Sequence, residues 1–186
     1  MHIMRHGKTK WNAEGRLQGR KNSPLLEESL SQIAEQCRFL PQSKIKRVFT
    51  SPLERCVITA DIVCKALGLP YTKDSLLSEC SLGDFEGMTL VSAQEQYRSF
   101  FQQRKEDTWN TPWPNGESYA DVYHRAVLFF KNISSPYDDI LIITHEMCGK
   151  CIAGLQLRWA QSQIMERKIS PASILYIEEG LLTVIE

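Results

Sequence analysis

The sequence predicts an α/β fold: one domain, a three-layer sandwich in which a mixed, mainly parallel sheet carries helices on both faces. Three observations carry that prediction. Short β-like runs alternate with segments of helical period, the pattern of a parallel sheet covered on both sides. The run from Asp139 to Thr144 is Ile and Leu throughout its middle, as a central strand buried on both faces must be. The chain has 186 residues and no repeat, linker or low-complexity tract, which suits a single domain over residues 1–186 with a sizeable core.

Composition narrows the function classes. Lys and Arg number 22 and Asp and Glu number 22, so no broad field draws the chain to nucleic acid or to an anionic membrane, and neither is expected as a partner. Any anion recognition must be local. No apolar run approaches the roughly 20 residues that cross a bilayer, and no secretory leader pattern opens the chain, so a cytoplasmic protein is expected. Its six cysteines would stay thiols in that compartment.

The first strand, Met1 to Met4, runs into Arg5-His6-Gly7-Lys8-Thr9-Lys10-Trp11-Asn12. Open α/β sheets place ligands at the carboxyl ends of strands. Gly7 there lets the backbone turn and approach an anion closely. A guanidinium beside an imidazole disfavours protonation, which biases His6 towards the neutral, nucleophilic form. Attack on phosphorus would give a phosphohistidine; the plain alternative is an ordinary His-Gly turn. Glu14 to Gly19 is a polar loop with two glycines, able to offer N–H groups to a phosphate or simply to turn in solvent. Leu26, Leu30, Ile33, Cys37 and Leu40 recur at helical spacing and mark a packed helix.

A second strand, Ile45 to Thr50, leads into Ser51-Pro52-Leu53-Glu54-Arg55. Ser51 and Glu54 read as a capping box with Pro52 at the first helical position. Arg55 then adds a full charge to a helix start that already favours anions, although such an arginine can equally be solvated. Leu53, Cys56, Val57, Ala60, Val63, Cys64 and Leu67 form the buried stripe, which leaves Arg55 and Thr59 on another face.

Leu77 to Gly87 holds Glu79, Asp84 and Glu86. Such a loop is either hydrated surface or the source of a proton for a departing alkoxide, since a carboxyl beside a bound phosphate has its pKa raised by like charge. Met88 to Lys105 reads as one helix. Tyr97, Phe100, Phe101, Trp109 and Trp113 fit either core or a lid over a site. The helix after Ser118 buries Tyr119, Val122, Tyr123, Ala126, Phe129, Phe130 and Ile133, with His124 at the surface. His145 directly follows the central strand, as a satisfied core histidine or as an imidazolium donor to a phosphate oxygen. Cys148-Gly149-Lys150-Cys151 matches a redox or metal pattern, with small buried thiols as the simpler alternative. Ser173 to Ile177 and Leu181 to Ile185 flank Glu178-Glu179-Gly180 and read as a closing hairpin.

Arg5 to Asn12 match R-H-G-[EK]-T-x-x-N, the signature of the histidine phosphatase superfamily, which the chain resembles. The resemblance continues through a G-R-x-Q-G segment, S-P-L-x-R-x-x-x-T-A at Ser51 to Ala60, L-x-E-x-x-x-G-x-x-E-G from Leu77, and P-x-G-E-S at Pro114 to Ser118. It implies that His6 is the nucleophile, Glu79 the general acid and Arg5, Arg55 and His145 the groups on the phosphoryl oxygens. Thr9, Asn12, Gln18 and Gly19 would wall the site, and Glu86 would be structural. Glu146 stands where members usually carry glycine; this puts a backbone contact in doubt and points to selection against highly anionic substrates. The implied substrate is a small phosphorylated metabolite, with no cofactor and no metal. The mutase branch carries E-R-x-Y-G after its acid, whereas Glu79 is followed by Cys80-Ser81-Leu82, so hydrolysis is expected over mutase transfer or mere phosphate binding. Few residues precede Arg5 for such a strand, and an upstream start is an open expectation. Oligomeric state is not legible.

Overall fold

A computed structural model describes residues 1–134, 137 and 139–186. Strand β1 (His2–Arg5) is followed by α1 (Lys10–Ala13), α2 (Glu27–Gln36), β2 (Arg47–Thr50), α3 (Glu54–Leu67) and β3 (Tyr71–Lys73). Then come α4 (Leu90–Gln96), α5 (Arg98–Glu106), α6 (Tyr119–Asn132), β4 (Ile140–Thr144), α7 (Glu146–Leu157), α8 (Gln161–Glu166), β5 (Ile174–Glu178) and β6 (Leu181–Ile185). The sheet order is β3-β2-β4-β1-β5-β6, with β3, β2, β4 and β1 parallel, β5 antiparallel to β1, and β6 antiparallel to β5. This is the mixed, mainly parallel sheet expected.

Side chains alternate across the strands, so each central strand feeds two cores. Ile3, Ile140 and Ile142 pack with Phe129, Ala126 and Ile152 on the side of α6 and α7. Met4, Leu141 and Ile143 pack with Ile33, Ala60 and Val63 on the side of α2 and α3. The register then fixes the site: Arg5 lies opposite Thr144 and Thr50 opposite Ile143, so the next residues, His6, His145 and Ser51, emerge side by side at one edge.

Several expectations shift. β3 was not anticipated, because Tyr71-Thr72-Lys73 is a short edge strand with two exposed residues and no apolar alternation. The helix after β2 starts later than predicted, with Leu53 as its N-cap, and no Ser51–Glu54 capping box forms. Ser51 is held as a continuation of β2 by its N–H on the Ile143 carbonyl (3.0 Å), and its hydroxyl accepts from Leu53 N (3.3 Å). The single helix expected over Met88 to Lys105 breaks at Tyr97 (φ −123°, ψ 42°), whose ring lies 4.8 Å from Phe85. Phe100, Phe101 and Trp113 surround the same Phe85 at 5.2–5.8 Å, so these aromatics form core. The closing hairpin forms as expected, its two-residue turn at Glu179 (φ 50°) and Gly180 (φ 79°) having the positive φ pair that matches strand twist. Among the described residues no helix is long and apolar enough to cross a membrane.

Candidate active site

His6 leaves the end of β1 with its N–H on the Thr144 carbonyl at 3.0 Å. Its Nδ1 faces the Gly7 carbonyl at 2.7 Å, so the ring proton sits there and Nε2 keeps its lone pair. Burial first, then the charges of Arg55 and Arg5, holds the imidazole well below its usual pKa. It is therefore neutral, as expected beside a guanidinium. Gly7 also serves the packing of the turn. A Cβ there would meet Ser29 Oγ at 2.6 Å and Ile33 Cδ1 at 2.7 Å, so the missing side chain lets α2 pack against the turn.

Arg55 reaches the same point from the first turn of α3 and is only 2% exposed. Its Nε lies 3.2 Å from both His6 Nε2 and His145 Nδ1, while Nη1 donates to the Lys21 carbonyl (3.1 Å) and Nη2 to the Gly19 carbonyl (2.6 Å). No carboxylate among the described residues forms an ion pair with it. Burial lowers its pKa, with Glu79 among the groups that oppose the shift. A buried cation compensated only by dipoles is costly, and an anion bound beside it would relieve that cost. One turn on, Thr59 donates to the Arg55 carbonyl (2.7 Å) and accepts from Gly7 N (3.3 Å), joining helix and signature turn.

The wall opposite is assembled by Thr9. Its hydroxyl accepts from Asn12 N (3.1 Å) while Asn12 Oδ1 accepts from Thr9 N (3.1 Å), a capping box on α1. The same hydroxyl donates to Gln18 Oε1 at 2.8 Å. Thr9 is thus buried behind the wall, whereas Asn12, Gln18 and Gly19 line it. Gly19 (φ 55°) rests on Glu86, whose carboxylate accepts from Arg20 N (2.8 Å), Lys21 N (3.1 Å) and Leu82 N (3.1 Å). Glu86 has the structural part expected of it.

Glu79 faces His6 from the α7 side of the cavity. Its carboxylate accepts from Cys80 N (2.9 Å) and Cys148 N (3.2 Å) at one oxygen and Met147 N (3.2 Å) at the other, capping the start of α7. His145 is the residue the structure places differently from expectation. It is fully buried behind Arg55 and is not part of the cavity wall. Its Nδ1 accepts from Arg55, its Nε2 lies 2.8 Å from Ser51 Oγ, and burial together with Arg55 holds it well below its usual pKa. In this geometry the ring is a neutral support for Arg55, the satisfied buried histidine of the two alternatives its position offers. Glu146 turns its side chain to Arg5, 2.9 Å from Nη1, and Arg5 also donates to the Ile169 carbonyl.

The cleft holds about 220 Å³, below the ~300–1,000 Å³ of typical ligand clefts, and is open to solvent on one side. Four cations line it, Arg5, Arg16, Arg55 and Lys150, against two carboxylates, Glu79 and Glu146. Arg16, Lys150 and Tyr119 line it without having been singled out. Arg16 lies inside the G-R-x-Q-G segment and could have been noticed; Lys150 and Tyr119 carry no local signal. Arg125 was also missed: it pairs with Glu117 (2.9 Å) and donates to the carbonyls of Leu76, Ser78 and Glu79, pinning the backbone that carries Glu79 into the cavity wall. Cys148 and Cys151 are buried free thiols, the first pushed up to about 11 and the second raised further, the opposite of a reactive pair. Among the described residues no group of three His, Cys, Asp or Glu converges as a metal site.

Comparison with known proteins places the chain in a family. A relative in Salmonella choleraesuis named "Probable phosphoglycerate mutase GpmB" is 32% identical over 194 aligned positions, covering 98% of this chain and 87% of its own length. Bacillus stearothermophilus YhfR superposes with TM-score 0.80 at 26% identity, covering 98% of this chain and 93% of its own. The fold is shared with the α-ribazole phosphatase from Shigella flexneri (TM-score 0.80, 22% identity, 100% and 95% covered). It is shared too with a mycobacterial glucosyl-3-phosphoglycerate phosphatase in complex with VO3 (TM-score 0.82, 23% identity, 94% and 90% covered). The sequence profile of the histidine phosphatase superfamily (branch 1) matches residues 1–180, and to that family this chain belongs.

Proposed function

We propose that the protein is a phosphomonoester hydrolase acting on a small phosphorylated metabolite through a phosphohistidine at His6. One observation carries the reading: unprotonated His6 Nε2, on the cavity wall, accepts from Nε of Arg55 at 3.2 Å, and this buried guanidinium has no carboxylate partner among the described residues, so an anion that draws the guanidinium to itself frees the lone pair. A phosphoryl dianion placed there gains the charge compensation Arg55 now lacks, in front of a nucleophile that needs no prior deprotonation.

In this scheme Nε2 forms a bond to phosphorus as the ester P–O bond breaks, and the leaving oxygen takes a proton from Glu79. The Nδ1–H remains on the Gly7 carbonyl, which stabilises the positive charge the ring acquires. Water then gives a proton to the Glu79 carboxylate and attacks phosphorus, releasing inorganic phosphate and neutral His6. To deliver its proton Glu79 must loosen a bond to α7, and the phosphoryl group drawn towards those N–H groups can replace it. Arg5 and Arg55 act on the equatorial oxygens, with Asn12, Gln18 and Gly19 as the wall, and the scheme calls on no metal. The buried free thiols support a reducing, cytoplasmic setting.

Acid-quenched labelling with a phosphorus-labelled aryl phosphate tests the reading. The expected result is base-stable, acid-labile label on the wild type and none on His6→Ala; label that survives in His6→Ala rejects it. The GpmB relative's name supports a second reading, phosphotransfer between phosphoglycerate isomers. Isomer interconversion that depends on bisphosphoglycerate and outpaces phosphate release would establish that reading instead. Binding of phosphate esters with neither reaction would leave a phosphate-binding module.

A further inference from the structure

Lys150 is a buried cation that the scheme above does not use. It lies one turn along α7 from Glu146, is 6% exposed and lines the same cavity as His6. Its Nζ donates to Tyr119 Oη at 3.1 Å and to the Met165 carbonyl at 3.4 Å, and no carboxylate among the described residues lies within ion-pair distance. An ammonium carries three N–H bonds, so one is left without an acceptor. Tyr119 lines the cavity too and uses its oxygen to accept from Lys150. Burial pushes the phenol pKa up, so the hydroxyl keeps its proton, and that proton meets no acceptor among the described residues. Glu146 and Glu79 act on this ammonium only from beyond ion-pair distance, so two donors and a positive charge without a direct anionic partner remain on the wall of the cavity that also holds His6 and Arg55.

We infer that Lys150 and Tyr119 form a second recognition site, for a carboxylate carried on the alcohol part of the phosphomonoester. The inference rests on the proposed function for where the phosphate sits. The charge argument selects the ligand. A neutral hydroxyl would leave the ammonium without an anionic partner, while a second phosphate dianion would share about 220 Å³ with the first and with the carboxylates of Glu79 and Glu146. A planar monoanion matches one N–H and one O–H. Glu146 does not fill this role, because its carboxylate is drawn to Arg5 at 2.9 Å. The burial that lowers the Lys150 pKa also strengthens its attraction for an anion that enters and excludes water.

The test is calorimetric binding in a His6→Ala background, where the ligands are not consumed. Phosphoglycerate is compared with glycerol phosphate, which has hydroxymethyl in place of carboxylate. Phosphoglycerate is expected to bind about tenfold tighter or better, the range of one charge-assisted hydrogen-bonded pair. Lys150→Met should bring the ratio close to one, Lys150→Arg should keep much of it, and Tyr119→Phe should reduce it by about threefold. The ratio is the readout because a merely structural lysine would weaken both ligands alike. Equal binding of the two esters in the parent, or a ratio untouched by Lys150→Met, overturns the inference. Tyr119→Phe, which leaves the ammonium in place, decides by the same ratio should Lys150→Met fail to fold. A ratio that holds while the wild type takes no base-stable label from an aryl phosphate removes the hydrolase reading and leaves this site standing; label on the wild type with a ratio of one does the reverse.

Discussion

The two arginines of the site are built in opposite ways. Arg55 is sealed, 2% exposed, and its guanidinium donates to carbonyls and imidazoles, whereas Arg5 shares its charge with Glu146 across 2.9 Å, the two side chains 12% and 32% exposed. A guanidinium held by dipoles keeps its full charge for an incoming anion, and one already paired offers only what the pair can spare. Affinity for the phosphoryl group should therefore depend on the sealed arginine and be adjusted by the paired one.

The largest effect should come from the nucleophile that Arg55 faces: His6→Ala is expected to lower kcat by about a thousandfold or more and to remove the phosphoenzyme, read by steady-state assay and quench labelling. Arg55→Lys should cost about a hundredfold in kcat/KM, since one ammonium cannot replace contacts to two imidazoles and two carbonyls; a loss under about fivefold would erase the contrast between the arginines. Glu79→Gln should slow alkyl phosphates by about a hundredfold and aryl phosphates, whose leaving groups need less protonation, far less, which a comparison of the two substrates reads directly. Glu146→Gly should act in the other direction. Freed of its partner, Arg5 should bind inorganic phosphate several-fold tighter, read as a lower inhibition constant, the modest size following from the pair's partial exposure.

The smallest expected effect concerns pH and stability. His2, lowered to about 4 chiefly by burial, and His6 and His145, held well below the usual imidazole range, are neutral when folded and protonate more readily when unfolded. The unfolded chain thus binds more protons below the ordinary value of 6.5. Their contribution is intact above that value and is lost as pH falls towards the folded values. Thermal melts should show Tm falling between pH 6.5 and about 4, less steeply in His2→Gln, whose ring lies outside the site. A Tm flat across that window would mean that the buried rings take up protons without penalty.

That His6, Arg5, Arg55, Glu79, Asn12, Gln18 and Gly19 line one cavity was legible because each sits in a local motif, at a strand end, helix start or loop, through which the chain resembles its family. The sheet was legible from local pattern at β1, β4 and the closing hairpin. What escaped depends on contacts between distant segments. Tyr71 to Lys73 pairs with β2 although its own pattern is too short to announce a strand. Lys150 and Tyr119 meet only because α6 and α7 pack together, 31 positions apart in sequence. His145 was correctly placed at a strand end, but its protonation is set by burial behind Arg55, which no local pattern encodes.

Glu86 has a consequence that reaches beyond its own loop. The Gly19 and Lys21 carbonyls that aim Arg55 belong to a segment whose N–H groups, at Arg20 and Lys21, are anchored on that one carboxylate. The direction of the guanidinium is thus dictated from a residue outside the cavity wall. A chain altered there could keep its sheet and its nucleophile and still hold its strongest cation at the wrong angle, so damage to chemistry need not begin at a chemical group.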